Sequence, residues 1–323
     1  MSMEPVLSLN DVSIVYPGDA SDVRAVRNVS LDVAPGETLG LVGESGSGKS
    51  SLAAAMLGLL PAGARVEGTV QFEGQEMTQL GETERRRLRG SAIAAIAQDP
   101  FTALNPVMRI GKQMVEFQHW QKGLSKTERW NRATEMLARV GLSDPELRMR
   151  QFPHQLSGGS RQRVAIGAAL LAEPRLLIAD EPTTALDATT EAQILTIMRD
   201  AKAEMTGATV FITHDISVVS RLCDRVAVLY AGELMETGPV SDVLANPQHP
   251  YTRALLDCDP ARIDRPTRTL PTIPGTVPPP GAARKGCVFA ERCPAAFARC
   301  AIEKPKLLSC GAGWKSACHL VTA

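Results

Sequence analysis

The sequence predicts an α/β fold in which buried strands alternate with helices and an all-helical segment is inserted among them. Three stretches carry the prediction. The apolar run 38–42 reads as a buried strand and passes into Gly43-Glu44-Ser45-Gly46-Ser47-Gly48-Lys49-Ser50, after which 51–60 reads as a helix. A second apolar run, 176–179, ends in the carboxylates Asp180-Glu181, followed by Pro182. Between the two, 107–142 keeps a helical pattern throughout. Short apolar runs bounded by turn residues fit buried strands, and apolar residues at three- and four-residue spacing fit amphipathic helices.

The totals narrow the class. At 323 residues the chain has length for a large core and for two domains. Lys+Arg 35 balances Asp+Glu 35, so no global field recruits nucleic acid or an anionic membrane, and only a local basic patch is left open. No apolar run approaches the roughly eighteen residues of a spanning helix, and residues 1–10 lack a basic start with a hydrophobic centre. The expectation is a soluble, cytoplasmic protein.

In order, residues 6–16 and 29–33 alternate apolar and polar residues as half-buried antiparallel strands do, and Pro35-Gly36 turns the chain into run 38–42. Tyr16, at the end of the first run, either stacks on a nucleotide base or packs in the core. Gly43, Glu44, Ser45, Gly46, Ser47, Gly48, Lys49, Ser50 and Ser51 are the binding candidates of the glycine-rich turn. Its backbone N–H groups curl round a polyphosphate, and the helix that follows points its positive end at the same anion. Lys49 would reach the β- and γ-phosphates, and the Ser50 hydroxyl would ligate Mg²⁺. Strand, glycine turn and helix together are the context this pattern requires.

Residues 66–72 continue the strand pattern, and the arginine-rich 83–90 is a solvated helix or turn. The buried run 92–97 leads to Gln98-Asp99-Pro100, where the proline blocks a simple continuation into helix and leaves Gln98 at a strand-to-loop handover. A glutamine there ligates Mg²⁺, orients a water, or is a plain turn residue. Ser125-Lys126-Thr127-Glu128 is a capping box, Trp130, Ala133, Leu137 and Val140 follow at helical spacing, and Gly141 is the stop. Leu156-Ser157-Gly158-Gly159-Ser160 opens a helix over 161–172 and is either a second anion-binding end or a simple cap. Asp180 is placed to hold Mg²⁺ and Glu181 to polarise an attacking water. Thr184-Ala185-Leu186-Asp187 leads into a helix ending near Lys202, 208–213 is another buried strand, and His214 follows it directly. Runs 225–230 and 233–237 close this region as a hairpin around Ala231-Gly232.

In this order the motifs resemble the ATP-binding cassette (ABC) ATPases, over residues 6–256. The resemblance implies a P-loop RecA-like core with an antiparallel β subdomain and a helical subdomain. It assigns Tyr16 to adenine stacking, Gly43 to Ser50 to the Walker A loop, Gln98 to the Q-loop and Leu156 to Ser160 to the signature. Asp180 and Glu181 match the Walker B pair, Asp187 the D-loop and His214 the switch histidine. It also implies two cassettes packed head to tail, with Ser157, Gly158 and Gly159 of each capping the ATP held by the other; this accounts for the surplus anion site. The fifth signature residue, usually glutamine, is Ser160 here.

The tail narrows the resemblance. Asn246 to Leu256, then Leu270-Pro271-Thr272-Ile273-Pro274-Gly275, look like the C-terminal extension of oligopeptide, dipeptide and nickel importer ATPases, as does the segment from Gln98 to Pro106. The implied division is a cassette over 1–239, with a helical subdomain 105–172, and an extension over 240–323 with a Cys-rich segment 286–319. Residues 271–286 form a Pro- and Gly-rich connector. Beyond it lie Cys287, Cys293, Cys300, Cys310 and Cys318. Four thiolates hold a tetrahedral zinc or a four-iron, four-sulfur cluster, or the cysteines stay unmetallated. Close Cys-x-x-Cys pairs are absent, which favours iron and sulfur over zinc, and the subgroup resemblance puts Cys287, Cys293, Cys300 and Cys318 in the matching positions.

The expected function is the ATP-hydrolysing subunit of an importer for peptides or related solutes, working through Glu181, His214 and Gln98. Its partners would be a second, related ATPase in a heterodimer, two membrane permeases and, indirectly, an extracytoplasmic solute-binding protein, with the chain peripheral on the inner membrane. The rivals are a cassette ATPase acting on nucleic acid or ribosomes, which usually has two cassettes or a long coiled coil, and a non-hydrolysing regulatory subunit, against which the intact Lys49, Asp180, Glu181 and His214 argue.

Overall fold

The computed structural model describes residues 4–19, 21–184, 186–259, 262, 269–279 and 285–321. Of the segments read from the sequence, Ala185 and residues 280–284 lie outside the described residues. The chain divides into two units, one of residues 1–33, 37–78 and 211–323, the other of 34–36 and 79–210.

In the first unit, strand Leu7–Tyr16 pairs antiparallel with Val23–Val33 on one side and with Arg65–Phe72 on the other, and Gln75–Glu76 closes the meander. Leu7, Leu9, Val12 and Ile14 are buried, as the alternation requires apart from the register shifts between them. The second strand begins at Val23, ahead of the expected Val29. Its early residues Val23, Arg24 and Val26 are recruited by pairing with Tyr16, Val15 and Ile14, a tertiary contact that local alternation does not reveal.

Strand Thr38–Val42 runs parallel to Arg225–Tyr230, with Leu39 opposite Arg225 and Val42 opposite Val228. Arg225–Tyr230 turns at Ala231-Gly232, both at positive φ (47° and 84°), and returns as Glu233–Pro239, the hairpin expected from the sequence. That strand then pairs with Trp314–Ser316, which pairs with Leu308–Gly311, so the C-terminal residues extend the same sheet. These two short strands have too few apolar residues to be read locally. The first of them is anchored at Glu236, which lies opposite Ser316, is fully buried and accepts hydrogen bonds from Gln248 N (2.8 Å), His249 N (3.0 Å) and Trp314 Nε1 (2.9 Å). In the same unit Tyr230, Tyr251 and Phe289 pack with ring centroids 4.6–5.2 Å apart, in one core with Val42, Val228, Val243 and Val288.

The helix after the glycine turn is Lys49–Met56. It starts before the expected 51–60 span because the left-handed Gly48 (φ 98°) is already its N-cap, and it ends early because Gly58, also left-handed at 62°, stops it.

In the second unit Ile93–Ile96 lies parallel to Leu176–Asp180, Ile93 opposite Leu176 and Ile96 opposite Ala179. Pro100 does not end the chain's regular structure: it occupies the first turn of the short helix Pro100–Ala103, where a missing N–H costs nothing, and the Asp99 side chain caps that helix by accepting from Phe101 N. Helices Ile110–Glu116, Lys126–Arg139 and Pro145–Arg150 follow. The capping box forms as expected, Ser125 Oγ accepting from Glu128 N (3.2 Å) and Glu128 Oε2 from Ser125 N (2.7 Å). Ala133, Leu137 and Val140 are fully buried, and Gly141 (φ 74°) is the stop. Among the described residues no helix is long and apolar enough to cross a membrane.

Candidate functional site

The glycine loop belongs to the first unit. Gly43 needs its glycine: a Cβ there would stand 2.1 Å from Leu229 O, and its φ is 155°. Lys49 is buried, 5 % exposed, and its Nζ donates to Gly43 O (2.7 Å) and Glu44 O (3.0 Å), while Ser45, Gly46 and Ser50 are exposed. The lysine is therefore held by the backbone of its own loop, poised beside an exposed rim of small residues. Tyr16 is half-buried and its hydroxyl donates to Ser51 Oγ (3.0 Å), fixing the ring at the start of the same helix. His214 follows strand Ala208–Thr213 directly and is exposed.

In the second unit, Gln98 and Glu181 meet. Gln98 Nε2 donates to Glu181 Oε2 (3.0 Å), and Thr184 Oγ1 donates to the same oxygen (2.9 Å). Glu181 sits at φ 46°, a left-handed backbone unusual for a side chain of its size, and Thr184 N bonds to its carbonyl (3.1 Å). Glu73 and Glu173 share this backbone (φ 49° each), so the angle shapes the strand end and does not by itself mark a function. It turns Glu181 off the line of strand Leu176–Asp180, at whose end Asp180 stands half-buried.

The second glycine segment differs from expectation at its start. The helix is Gly158–Leu171, not 161–172, because Ser157 is the N-cap and accepts from Ser160 N (3.2 Å). Gly158 and Gly159 are thus its first turn. Ser160 turns back on the cap, its Oγ accepting from Ser157 Oγ (2.9 Å). A Cβ on Gly158 would meet nothing within 4 Å, whereas one on Gly159 would stand 2.8 Å from Thr190 Cγ2. Thr190 in turn donates through N (3.0 Å) and Oγ1 (2.7 Å) to Asp187, the N-cap of helix Ala188–Glu204, and these bonds hold the Asp187 carboxyl below its usual range. The link from Asp187 through Thr190 to Gly159 escaped sequence reading; the Asp-x-x-Thr spacing of a helix cap was its available signal.

In the C-terminal segment, Cys287, Cys293, Cys300 and Cys318 line one small cavity with His249, Phe289 and His319, and Cys310 is not among its lining residues. Burial pushes the Cys287 thiol up to about 11, the neighbouring Cys300, Cys318 and Cys293 adding to the effect. Among the described residues, however, no group of three or more His, Cys, Asp or Glu is arranged to hold a metal ion, so the expected iron–sulfur site gains no support from that geometry. Tyr251 and Arg292, both touching Glu44, are functional candidates the sequence did not disclose, since they stand 207 and 248 residues away along the chain.

A glycine cradle with a buried lysine, and a strand-end carboxylate held by a glutamine, define the class of P-loop cassette ATPases. A family model described as ABC transporter matches residues 26–184, and one described as oligopeptide/dipeptide transporter, C-terminal region, matches 235–300. The oligopeptide transport ATP-binding protein OppD of Escherichia coli (strain K12) is 45% identical over 304 residues, 94% of this chain and 89% of that protein. The dipeptide transport ATP-binding protein DppD of Lactococcus lactis subsp. cremoris is 46% identical over 295 residues, 90% of this chain and 84% of its own. Among solved structures, the ATP-binding cassette MJ0796 in a dimeric post-hydrolysis state bound to ADP and Pi superposes with a TM-score of 0.65 at 29% identity, covering 72% of this chain and 98% of that one. The chain belongs to the oligopeptide/dipeptide branch of the ABC transporter ATP-binding proteins.

Proposed function

We propose that this chain is the ATP-hydrolysing subunit of a peptide-type ABC importer, peripheral on the cytoplasmic face of the inner membrane. Gly43 to Ser51 would cradle the phosphates, Lys49 would neutralise the β- and γ-phosphates, and Tyr16 would stack on the base. Ser50, Gln98 and Asp180 are assigned to Mg²⁺, Glu181 to activation of the attacking water, and His214 to the γ-phosphate. Ser157, Gly158, Gly159 and Asp187 would face the nucleotide of a second, related ATPase, making a heterodimer whose closure drives two permease subunits fed by a solute-binding protein. The cassette is taken as 1–239, with 105–172 as its helical subdomain, and 240–323 as the extension. The observation that carries the reading is the Gln98–Glu181 hydrogen bond, which joins two segments 83 residues apart at the end of a buried strand.

The test is reconstitution. The chain, its sister ATPase and two permeases, co-purified in proteoliposomes and supplied with the solute-binding protein, should take up peptide with ATP hydrolysis, and Lys49→Ala should abolish both. Co-purification with ribosomes or DNA, or tightly bound ATP that never turns over, would replace this reading with one of its rivals.

For the C-terminal segment we infer a four-iron, four-sulfur cluster on Cys287, Cys293, Cys300 and Cys318. What supports it is that these four thiols line one cavity. A cluster is also larger than a single ion, so its cysteines stand farther apart than the ligands of one metal. It would tie together loops too poor in apolar residues to hold a core of their own. Anaerobically purified protein should contain iron and acid-labile sulfide; a colourless, iron-free preparation holding zinc would overturn it.

A further inference from the structure

The second residue of the glycine loop is held from the far end of the chain. Glu44 N donates to Tyr251 Oη (2.9 Å), and the Glu44 carboxylate forms a two-pronged pair with Arg292, Nη1 to Oε2 at 2.7 Å and Nη2 to Oε1 at 3.1 Å. The Arg292 side chain is only 6 % exposed. Its remaining donors are also used: Nε bonds to Pro274 O (2.8 Å), Nη1 to Tyr230 Oη (3.1 Å) and Nη2 to Ile273 O (3.1 Å). All five N–H groups of the guanidinium are thus committed in one geometry, which lysine, with three donors on a point charge, cannot reproduce. Gly275 packs against it, a Cβ there standing 3.2 Å from Arg292 Cγ. On the other side of the same residue, Glu44 O and Gly43 O receive Lys49 Nζ.

We propose that Arg292 is a positioning residue for the phosphate loop: it sets MgATP affinity by fixing Glu44, which makes the Cys-rich segment a working part of the nucleotide site. The inference rests on the reading of residues 43–50 as the ATP loop. Without Arg292 the half-buried Glu44 carboxylate loses both its prongs and must find water. The loop then relaxes, the carbonyls that hold Lys49 shift with it, and nucleotide binding has to reorder the loop first.

The experiment is equilibrium binding of MgATP to the full-length chain, as wild type, Lys49→Ala, Arg292→Ala, Arg292→Lys, Glu44→Ala and the double variant Arg292→Ala/Glu44→Ala, with melting temperatures recorded for each. Arg292→Ala should weaken binding by about tenfold, the size of a lost charge-assisted hydrogen bond. Arg292→Lys should recover part of that, and the double variant should bind no worse than Glu44→Ala alone, because Arg292 acts through Glu44. In the assembled complex, with ATP titrated to saturation, Arg292→Ala should raise KM and spare kcat. Lys49-dependent binding that Arg292→Ala leaves unchanged, or single effects that add in full, would overturn this proposal alone; absence of any Lys49-dependent binding would bring down the ATP reading with it. Should Arg292→Ala fail to fold, Arg292→Lys, Glu44→Gln and their combination decide the same question.

Discussion

Replacing Glu181 with glutamine separates its chemistry from its structural part. Glu181 Oε2 accepts from Gln98 Nε2 at 3.0 Å and from Thr184 Oγ1 at 2.9 Å. A glutamine side chain has nearly the same shape, and its amide oxygen accepts both bonds, so the fold should lose less than about 1 kcal/mol. What the amide lacks is a lone pair basic enough to take a proton from water. A positioned general base contributes about 10²–10⁴ in rate, which corresponds to roughly 2.7–5.5 kcal/mol of barrier. Phosphate release by the assembled complex at saturating MgATP should therefore fall by about two to four orders of magnitude, while MgATP affinity and melting temperature stay close to wild type. Hydrolysis within about threefold of wild type would refute Glu181 as the base. A parallel loss of affinity and stability would refute the claim that its hydrogen bonds survive the change.

Gly158→Ala should leave the chain as stable or slightly more so, since its Cβ enters open space in the first turn of a helix. It should nonetheless block MgATP-driven pairing of the cassettes, read by size-exclusion chromatography in a Glu181→Gln background; normal pairing would show that this open face does not meet a partner's nucleotide. Gly159→Val should instead lower the melting temperature, because its Cβ collides with Thr190 Cγ2. Glu236→Gln would turn an amide donor toward one of the N–H groups of Gln248, His249 or Trp314 that the buried carboxylate now accepts. The expected cost is about 1–3 kcal/mol, seen as a lower urea midpoint by tryptophan fluorescence, and an unchanged midpoint would show that Glu236 does not anchor the C-terminal strands.

Much was determined by the sequence alone. The strand Thr38–Val42, the glycine turn, the capping box at Ser125 and Glu128, and the hairpin at Ala231-Gly232 are local: each depends on residues within a few positions, whose propensities and spacing are written side by side. For the same reason the candidate residues Lys49, Gln98, Asp180, Glu181 and His214 were legible, as each stands in a short motif. Helix ends were less so, because Gly48, Ser157 and Pro100 act through backbone angles and caps that shift a boundary without changing the pattern.

What only the tertiary structure decided were the long-range partnerships. That Gln98 grips Glu181, that the Thr190 methyl closes on Gly159, and that Arg292 pairs with Glu44 while its other donors meet Tyr230, Ile273 and Pro274 follow from where the chain returns in space. A buried polar group must be matched by whatever neighbour the fold brings to it, and no pattern within either segment names that neighbour.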